Sequence, residues 1–406
     1  MDGDALPCDV AIFGGGGAGL WLLDVLVSRG VRAVLLEADH LGGGQTGCAQ
    51  GIIHGGLKYT LDGVLSGSAR AIREMPDLWR DCLAGRRSPA LTGTRVRAEH
   101  CYLWRTASMK SRLGMLGARV GLSTRPQAVD TGDRPAALAA CPGAVARIDE
   151  PVIDPVSFVT ELARRHMDSI LKIDAAHGLD LVLDDAGRVA KIMLKPPPPG
   201  GGEPQVLAPA TVVLVAGAGN ARLATMAGVE HAGRQQQRPL HMLMMRGALG
   251  QLNGHCVDGA RTRVTITSDT DSTGRTVWQV GGQVAEDGVD MEPDELVRHG
   301  AAEIKAVLPG VDLSDVEWST YRIDRAEATA AGGRPDDISV AVEKNVIVAW
   351  PTKLALVPRL TERIVAQLTL PQTTPASGHG PVLEGWPRPE ITRPPWETQS
   401  SWSADV

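Results

Sequence analysis

Phenylalanine and tyrosine are scarce in this 406-residue chain: two Phe and three Tyr stand beside nine Trp. Aromatic packing must therefore come mainly from indole rings, and the few phenols draw attention to where they fall, Tyr59 and Tyr321 among them. An excess of positive charge is also missing. Forty-one Lys and Arg face forty-seven Asp and Glu, a net charge of −6, which excludes a global basic field that would steer nucleic acid. Long apolar runs are absent as well. Val10–Phe13 and Thr211–Ala218 have only strand length, far below the roughly 20 residues of a membrane span. The opening Met-Asp-Gly-Asp-Ala-Leu-Pro lacks the basic and apolar regions of a secretory signal. The expectation is a cytoplasmic protein with no transmembrane segment, peripheral contact with a membrane being left open. Cysteine is present but unpatterned: Cys8, Cys48, Cys82, Cys101, Cys141 and Cys256 show no CxxC or CxxH spacing. That argues against a zinc site, an iron–sulfur cluster or a thioredoxin-like centre, and for reduced, mostly buried thiols and no metal.

What is there belongs to an ordinary folded chain. Hydrophobic residues make up 43% and charged residues 22%, enough apolar side chain to build one large or two interleaved cores. Asp9–Phe13 is an apolar run that breaks into Gly14-Gly15-Gly16-Gly17-Ala18-Gly19, a helical pattern follows to Ser28, and Ala33–Leu36 forms a second strand ending at Glu37. This is a complete βαβ unit around G-x-G-x-x-G. Gly14 makes the tight turn, Gly16 lets the backbone approach a pyrophosphate, and Gly19 lets helix and strand pack closely. Gly17 lies on the helix N-terminus, whose free N–H groups and dipole favour that anion, and Glu37 is placed to accept from a ribose diol.

Farther along, Ser66–Arg80 reads as a helix interrupted at Pro76, Arg95–Trp104 as a strand of a second sheet, and Asp154–Arg165 as a helix with Pro near its start. A hairpin is expected across Asp184–Gly187, strands over Arg238–Val284, helices over Asp294–Val307 and from about Pro358 to Leu368, and a buried strand at Asn345–Ala349. Dinucleotide-type strands near the start, middle and end enclose antiparallel-looking segments. The implied fold class is α/β: a Rossmann-type domain assembled from 1–85, 146–230 and 335–370, with an α+β substrate domain of 86–145 and 231–334 carrying an antiparallel sheet. Residues 371–406, dense in Pro, Ser, Thr and Trp, read as an irregular or disordered arm.

These features do not separate FAD from NAD; the next segment does, by likeness. Thr46–Tyr59 reads Thr-Gly-Cys-Ala-Gln-Gly-Ile-Ile-His-Gly-Gly-Leu-Lys-Tyr. It resembles the glycerol-3-phosphate dehydrogenase family within the wider D-amino-acid-oxidase-like FAD superfamily, whose hydroxyglutarate oxidases carry a similar His-containing segment. Lys58 replaces an Arg of that pattern. Thr-Val-Val-Leu-Val-Ala-Gly-Ala-Gly at 211–219 is similar to the superfamily's second FAD-contacting strand. Trp-Pro-Thr-Lys-Leu at 350–354 stands where the family carries Gly-Gly-Lys-Leu-Thr, without the two glycines.

The resemblance implies an FAD-dependent oxidoreductase in which Thr46, Gly47, Gly217, Gly219 and Thr352 line the cofactor. It implies that His54 and Arg322 are catalytic, and that Lys58, Tyr59, Lys353 and Arg325 face substrate. For His54 the competing reading is a purely structural hydrogen-bonding group; for Arg322 and Arg325 it is a surface arginine. Converging cations favour a small anionic substrate, a hydroxy acid or phosphorylated alcohol oxidised by hydride transfer, with the electron acceptor (oxygen, quinone or protein) undefined. Two alternatives stand beside this: an amine or amino-acid oxidase, and an FAD-binding subunit without turnover.

Overall fold

In the computed structural model, residues 5–56, 72–106, 126–198, 203–258, 261–330, 333, 335, 337–369 and 383–404 are described. The first sheet is built on Leu6–Phe13, whose last four residues are all buried. It pairs in parallel with Ala33–Glu37 on one side and Gln205–Leu214 on the other. Ile170–Lys172 and Val346–Trp350 extend the parallel set outward. The strands Leu179–Leu183 and Val189–Leu194 add an antiparallel hairpin, and Ser339–Glu343 closes the opposite edge. Near-continuous apolar strands are what a sheet covered on both faces requires. One face is covered by the helices Gly17–Ser28, Pro155–His166 and Val357–Val365, which share a core with Leu20, Trp21, Phe158 and Leu360.

The second sheet is also eight-stranded, in the order Glu317–Ala328, Gln235–Gly247, Thr276–Gly281, Arg261–Thr270, Gly254–Asp258, Cys101–Trp104, Val145–Ile148, Gln127–Ala128. Its strands are antiparallel except for the pairing of Gly254–Asp258 with Cys101–Trp104. One face packs on the helix Pro293–Val307 through Leu243, Met245, Ile266, Trp278 and Trp318. Strand alternation turns the other face, with Met242, Met244, Gln279 and Tyr321, away from that helix.

Several local expectations change for physical reasons. The break comes just before Pro76: Ile72 and Arg73 are helical, Glu74 is a turn, and Pro76 sits in the first turn of a new helix, Met75–Leu83, where its missing N–H removes no intrahelical bond. Residues 66–71 of the expected helix lie outside the described ones. Arg95–Trp104 is not one strand: Val96–Ala98 pairs with Val152–Ile153, and only Cys101–Trp104 joins the second sheet. Asp154 opens its helix as read, its carboxylate accepting the Val156 N–H at 3.0 Å. All six cysteines are free.

The arm at 383–404 is irregular yet docked. Its strand-like contacts join Ile391 to Leu41 and Ser403 to Trp318, so it straps both sheets. Trp386 is buried and its Nε1 donates to the Lys172 carbonyl at 2.8 Å. Trp396 lies under the Arg97 guanidinium and Trp402 under that of Arg246, centroid distances 5.3 and 4.1 Å. Three of the nine indoles thus hold the arm down. Trp386→Ala removes a large buried ring and orphans a carbonyl, and is expected to lower unfolding free energy by about 3–5 kcal/mol, read as a depressed thermal midpoint.

Candidate active site

The glycine turn follows from backbone geometry. Gly14 has φ of +114°, and a Cβ there would lie 2.6 Å from the Ala216 Cα and the Val215 oxygen. A Cβ on Gly19 would sit 1.9 Å from the Gly14 carbonyl oxygen. Only glycine permits either approach. The Thr46 hydroxyl accepts the Gly17 N–H at 3.0 Å, tying the 41–50 loop to the helix start. Glu37 accepts the Gly15 N–H at 2.6 Å through one oxygen and the Asp39 N–H at 2.7 Å through the other. Each oxygen keeps a second lone pair. Gly47 packs on the Gly42 carbonyl, and Gly217 (φ +56°) starts the short 3₁₀ turn that ends at Gly219, near Gln45. Thr352 follows Trp350 and Pro351, where the family's two glycines are absent. Its φ is +56°, the left-handed conformation glycine takes without strain, here imposed on a β-branched residue. Its hydroxyl and the Trp350 indole nitrogen are buried and, among the described residues, have no hydrogen-bond partner.

His54 is positioned by register. The Ile52 position bridges Val152 in antiparallel fashion, with Ile53 N–H donating to the Pro151 carbonyl at 2.9 Å and Ile153 N–H to the Gly51 carbonyl at 3.0 Å. In an antiparallel pair the residue numbers of partners sum to a constant, here 52 + 152 = 204, which sets residue 54 opposite residue 150. Gly51 (φ +78°) makes this approach feasible, since a Cβ there would lie 2.0 Å from the Ile153 oxygen.

Accordingly the His54 Nδ1 lies 3.2 Å from Glu150 Oε2, and the Gly55 N–H donates to Oε1 at 2.7 Å. Glu150 is 4% exposed. Burial pushes its carboxyl pKa up, but the hydrogen bond and charge of His54, the charge of His255 and the Gly55 N–H outweigh that, so the pKa lies below its ordinary value. A second imidazole, His255, stacks on His54 with ring centroids 5.5 Å apart and brings its Nε2 to 3.9 Å from Glu150 Oε2. The ligand-type atoms of His54, Glu150 and His255 all lie within 4.8 Å of one another. Both carboxylate oxygens have protein partners, Oε1 the Gly55 N–H and Oε2 the His54 ring.

The face of the second sheet that carries Tyr321 meets the 41–53 segment. Tyr321 donates its hydroxyl to the Cys48 carbonyl at 3.1 Å and accepts from Gln279 Nε2 at 2.9 Å, while Gln50 Nε2 donates to the Thr265 and Gln279 carbonyls, each at 3.0 Å. Burial drives the Tyr321 phenol pKa far up, so it is a fixed donor. Gln45 donates to the Ala326 carbonyl at 3.3 Å.

Arg322 is not brought to this face. It alternates with Tyr321, shares the helix-covered side with Trp318, and donates to the Val289 and Met291 carbonyls at 2.5 and 2.7 Å. Arg325 shares the parity of Tyr321 and lies 3.6 Å from Glu286. Lys353 follows Thr352, its Nζ withdrawn from solvent. Lys58 and Tyr59 lie outside the described residues. Glu150 and His255 carry no local sequence signal, being 96 and 201 residues from His54.

Residues 9–349 match the family described as FAD dependent oxidoreductase. This chain belongs to that family. Its cofactor is FAD, and the glycine turn, Glu37 and the orphaned polar atoms at Trp350 and Thr352 fit it. A protein of Pseudomonas aeruginosa named probable FAD-dependent oxidoreductase PA4991 is 36% identical over 399 residues, 97% of this chain and 98% of its own. The crystal structure of PA4991 superposes with a TM-score of 0.80 at 34% identity, covering 97% of this chain and 99% of that one. Glycine oxidase from Geobacillus kaustophilus shares the fold at a TM-score of 0.61 and 16% identity, over 94% of this chain and 99% of the other. FAD-bound L-α-glycerophosphate oxidase from Mycoplasma pneumoniae does so at 0.60 and 16%, over 92% and 98%. Among the described residues no helix is long and apolar enough to cross a membrane.

Proposed function

We propose that this FAD-dependent oxidoreductase oxidises the CH–OH group of a small anionic hydroxy acid or phosphorylated alcohol, with His54 as the base. The observation that carries this reading is the His54 imidazole held against the buried Glu150 carboxylate. A hydroxyl is a very weak acid, so hydride loss from its carbon needs a base that takes the O–H proton as charge develops. An amine offers a lone pair once neutral and needs no such partner. The glycine and glycerophosphate oxidases share the fold at low identity, so their substrates do not decide between an alcohol and an amine; the His–Glu pair favours the alcohol.

Gly14, Gly16, Gly17, Gly19 and Glu37 would hold the ADP half of FAD, and Thr46, Gly47, Gly217, Gly219 and Thr352 the remainder. When bound, FAD accepts the hydride that leaves the substrate carbon. His54 takes the hydroxyl proton on Nε2, its Nδ1–H remaining on Glu150. Lys58, Tyr59, Arg325 and Lys353 supply anion contacts; Arg322 serves the sheet instead, through its two carbonyls.

The test is anaerobic mixing of the yellow holoenzyme with hydroxy acids, phosphorylated alcohols and amino acids while flavin absorbance is followed. Bleaching by a hydroxy acid or phosphorylated alcohol, with Arg325→Ala raising the concentration required at least tenfold and Arg322→Ala leaving it unchanged, supports the reading. Bleaching only by amino acids overturns it in favour of amine oxidation. Reduction by none favours an FAD-binding subunit without turnover.

A further inference from the structure

We infer that Glu150 and His255 form a proton-holding pair that fixes His54 in one tautomer, Glu150 as the positioning residue and His255 as the resident cation. The inference rests on the reading of His54 as base. A carboxylate only accepts hydrogen bonds, so the nitrogen 3.2 Å from Glu150 Oε2 must carry the proton. That nitrogen is Nδ1, which leaves Nε2 of a neutral His54 bare and able to receive a proton.

The charge balance identifies the second partner. A carboxylate 4% exposed is costly unless a positive charge answers it. Among the described residues, the titratable groups that act on it are His54, His255 and Cys101. The Cys101 thiol is fully buried and held neutral by that burial and by the Glu150 charge. An imidazolium among these groups would supply that charge, and if His54 carried it the base would already be spent. His255 meets the requirement at both nitrogens: Nε2 faces Glu150 Oε2 at 3.9 Å, and Nδ1 lies 2.9 Å from the Thr265 hydroxyl, which can accept. His54 is also the ring that faces outward, its side chain 34% exposed against 11% for His255. The inner ring holds the charge and the outer ring does the exchange.

Nitrogen NMR of the FAD-loaded protein labelled with ¹⁵N-histidine tests this without any substrate, signals being assigned through His54→Asn and His255→Asn. At pH 7 the wild type is expected to show His54 protonated on Nδ1 alone and His255 protonated on both nitrogens. In Glu150→Gln, checked for retained flavin absorbance, His255 should lose its second proton at that pH and His54 should populate both tautomers. A wild type in which His54 carries its proton on Nε2, or in which His255 is neutral, overturns the inference even if the variant fails to fold. So does a Glu150→Gln spectrum unchanged at both rings. With whichever compound bleaches the flavin, Glu150→Gln should slow reduction about 10²–10³-fold with little change in the half-saturating concentration. If the NMR pattern holds while His54→Asn reduces normally, the pair stands and the base assignment falls.

Discussion

Replacing His54 by asparagine should leave the protein yellow and nearly stop the bleaching. The expected loss in the rate of anaerobic flavin reduction is about 10²–10⁴-fold, the usual contribution of a positioned general base. Asparagine preserves a hydrogen-bonding group toward the Glu150 carboxylate, so the register of Gly51–Ile53 against Pro151–Ile153 is kept and FAD stays bound. What disappears is the nitrogen that can receive a proton. The pH profile separates this from a packing defect. In His54→Asn the residual rate should rise only as solvent hydroxide does, because no side chain is left there to take the proton. An amine oxidase would behave otherwise, since a neutral amine binds ready to react, and His54→Asn would then cost less than tenfold. A rate within threefold of wild type would remove His54 from the chemistry altogether.

How much of this was legible in the chain depends on the range of the forces involved. The glycine turn was legible because much of its constraint is local: the positive φ of Gly14 and the approach of Gly19 to the Gly14 carbonyl involve only residues a few positions apart. His54 stood out only through likeness to a family segment. Its partners did not stand out, because the approach of residues 51–53 to 151–153 is a tertiary pairing that no periodicity announces. Arg322 is a different case, since the signal was present. Trp318, Thr320 and Arg322 share one parity in a strand, and a buried Trp marks the covered face, so Arg325 with Tyr321 belongs to the other. The arm at 383–404 was hidden by its lack of periodicity; its indoles find partners, Lys172, Arg97 and Arg246, from three separate parts of the chain.

Gly14→Ala and Gly19→Ala should each yield protein that cannot be made yellow. At Gly14 two penalties coincide: φ of +114° is strained for any residue with a Cβ, and the added carbon would lie 2.6 Å from backbone atoms of Val215 and Ala216. Those atoms are backbone, directly after the neighbouring parallel strand Gln205–Leu214, and cannot turn aside as a flexible side chain would. At Gly19 the new carbon would meet the Gly14 carbonyl oxygen at 1.9 Å, pushing the helix Gly17–Ser28 off the strand it packs on and moving the N–H groups that await the pyrophosphate. Gly44→Ala is the control in the neighbouring 41–50 loop, because nothing lies within 4 Å of a Cβ there and its backbone is not left-handed. It should retain the full flavin spectrum. Reconstitution with excess FAD, followed by absorbance after gel filtration, reads all three. A Gly19→Ala protein that holds stoichiometric flavin would mean that helix and strand can part without loss of the site, and would take the cofactor's anchor away from this turn.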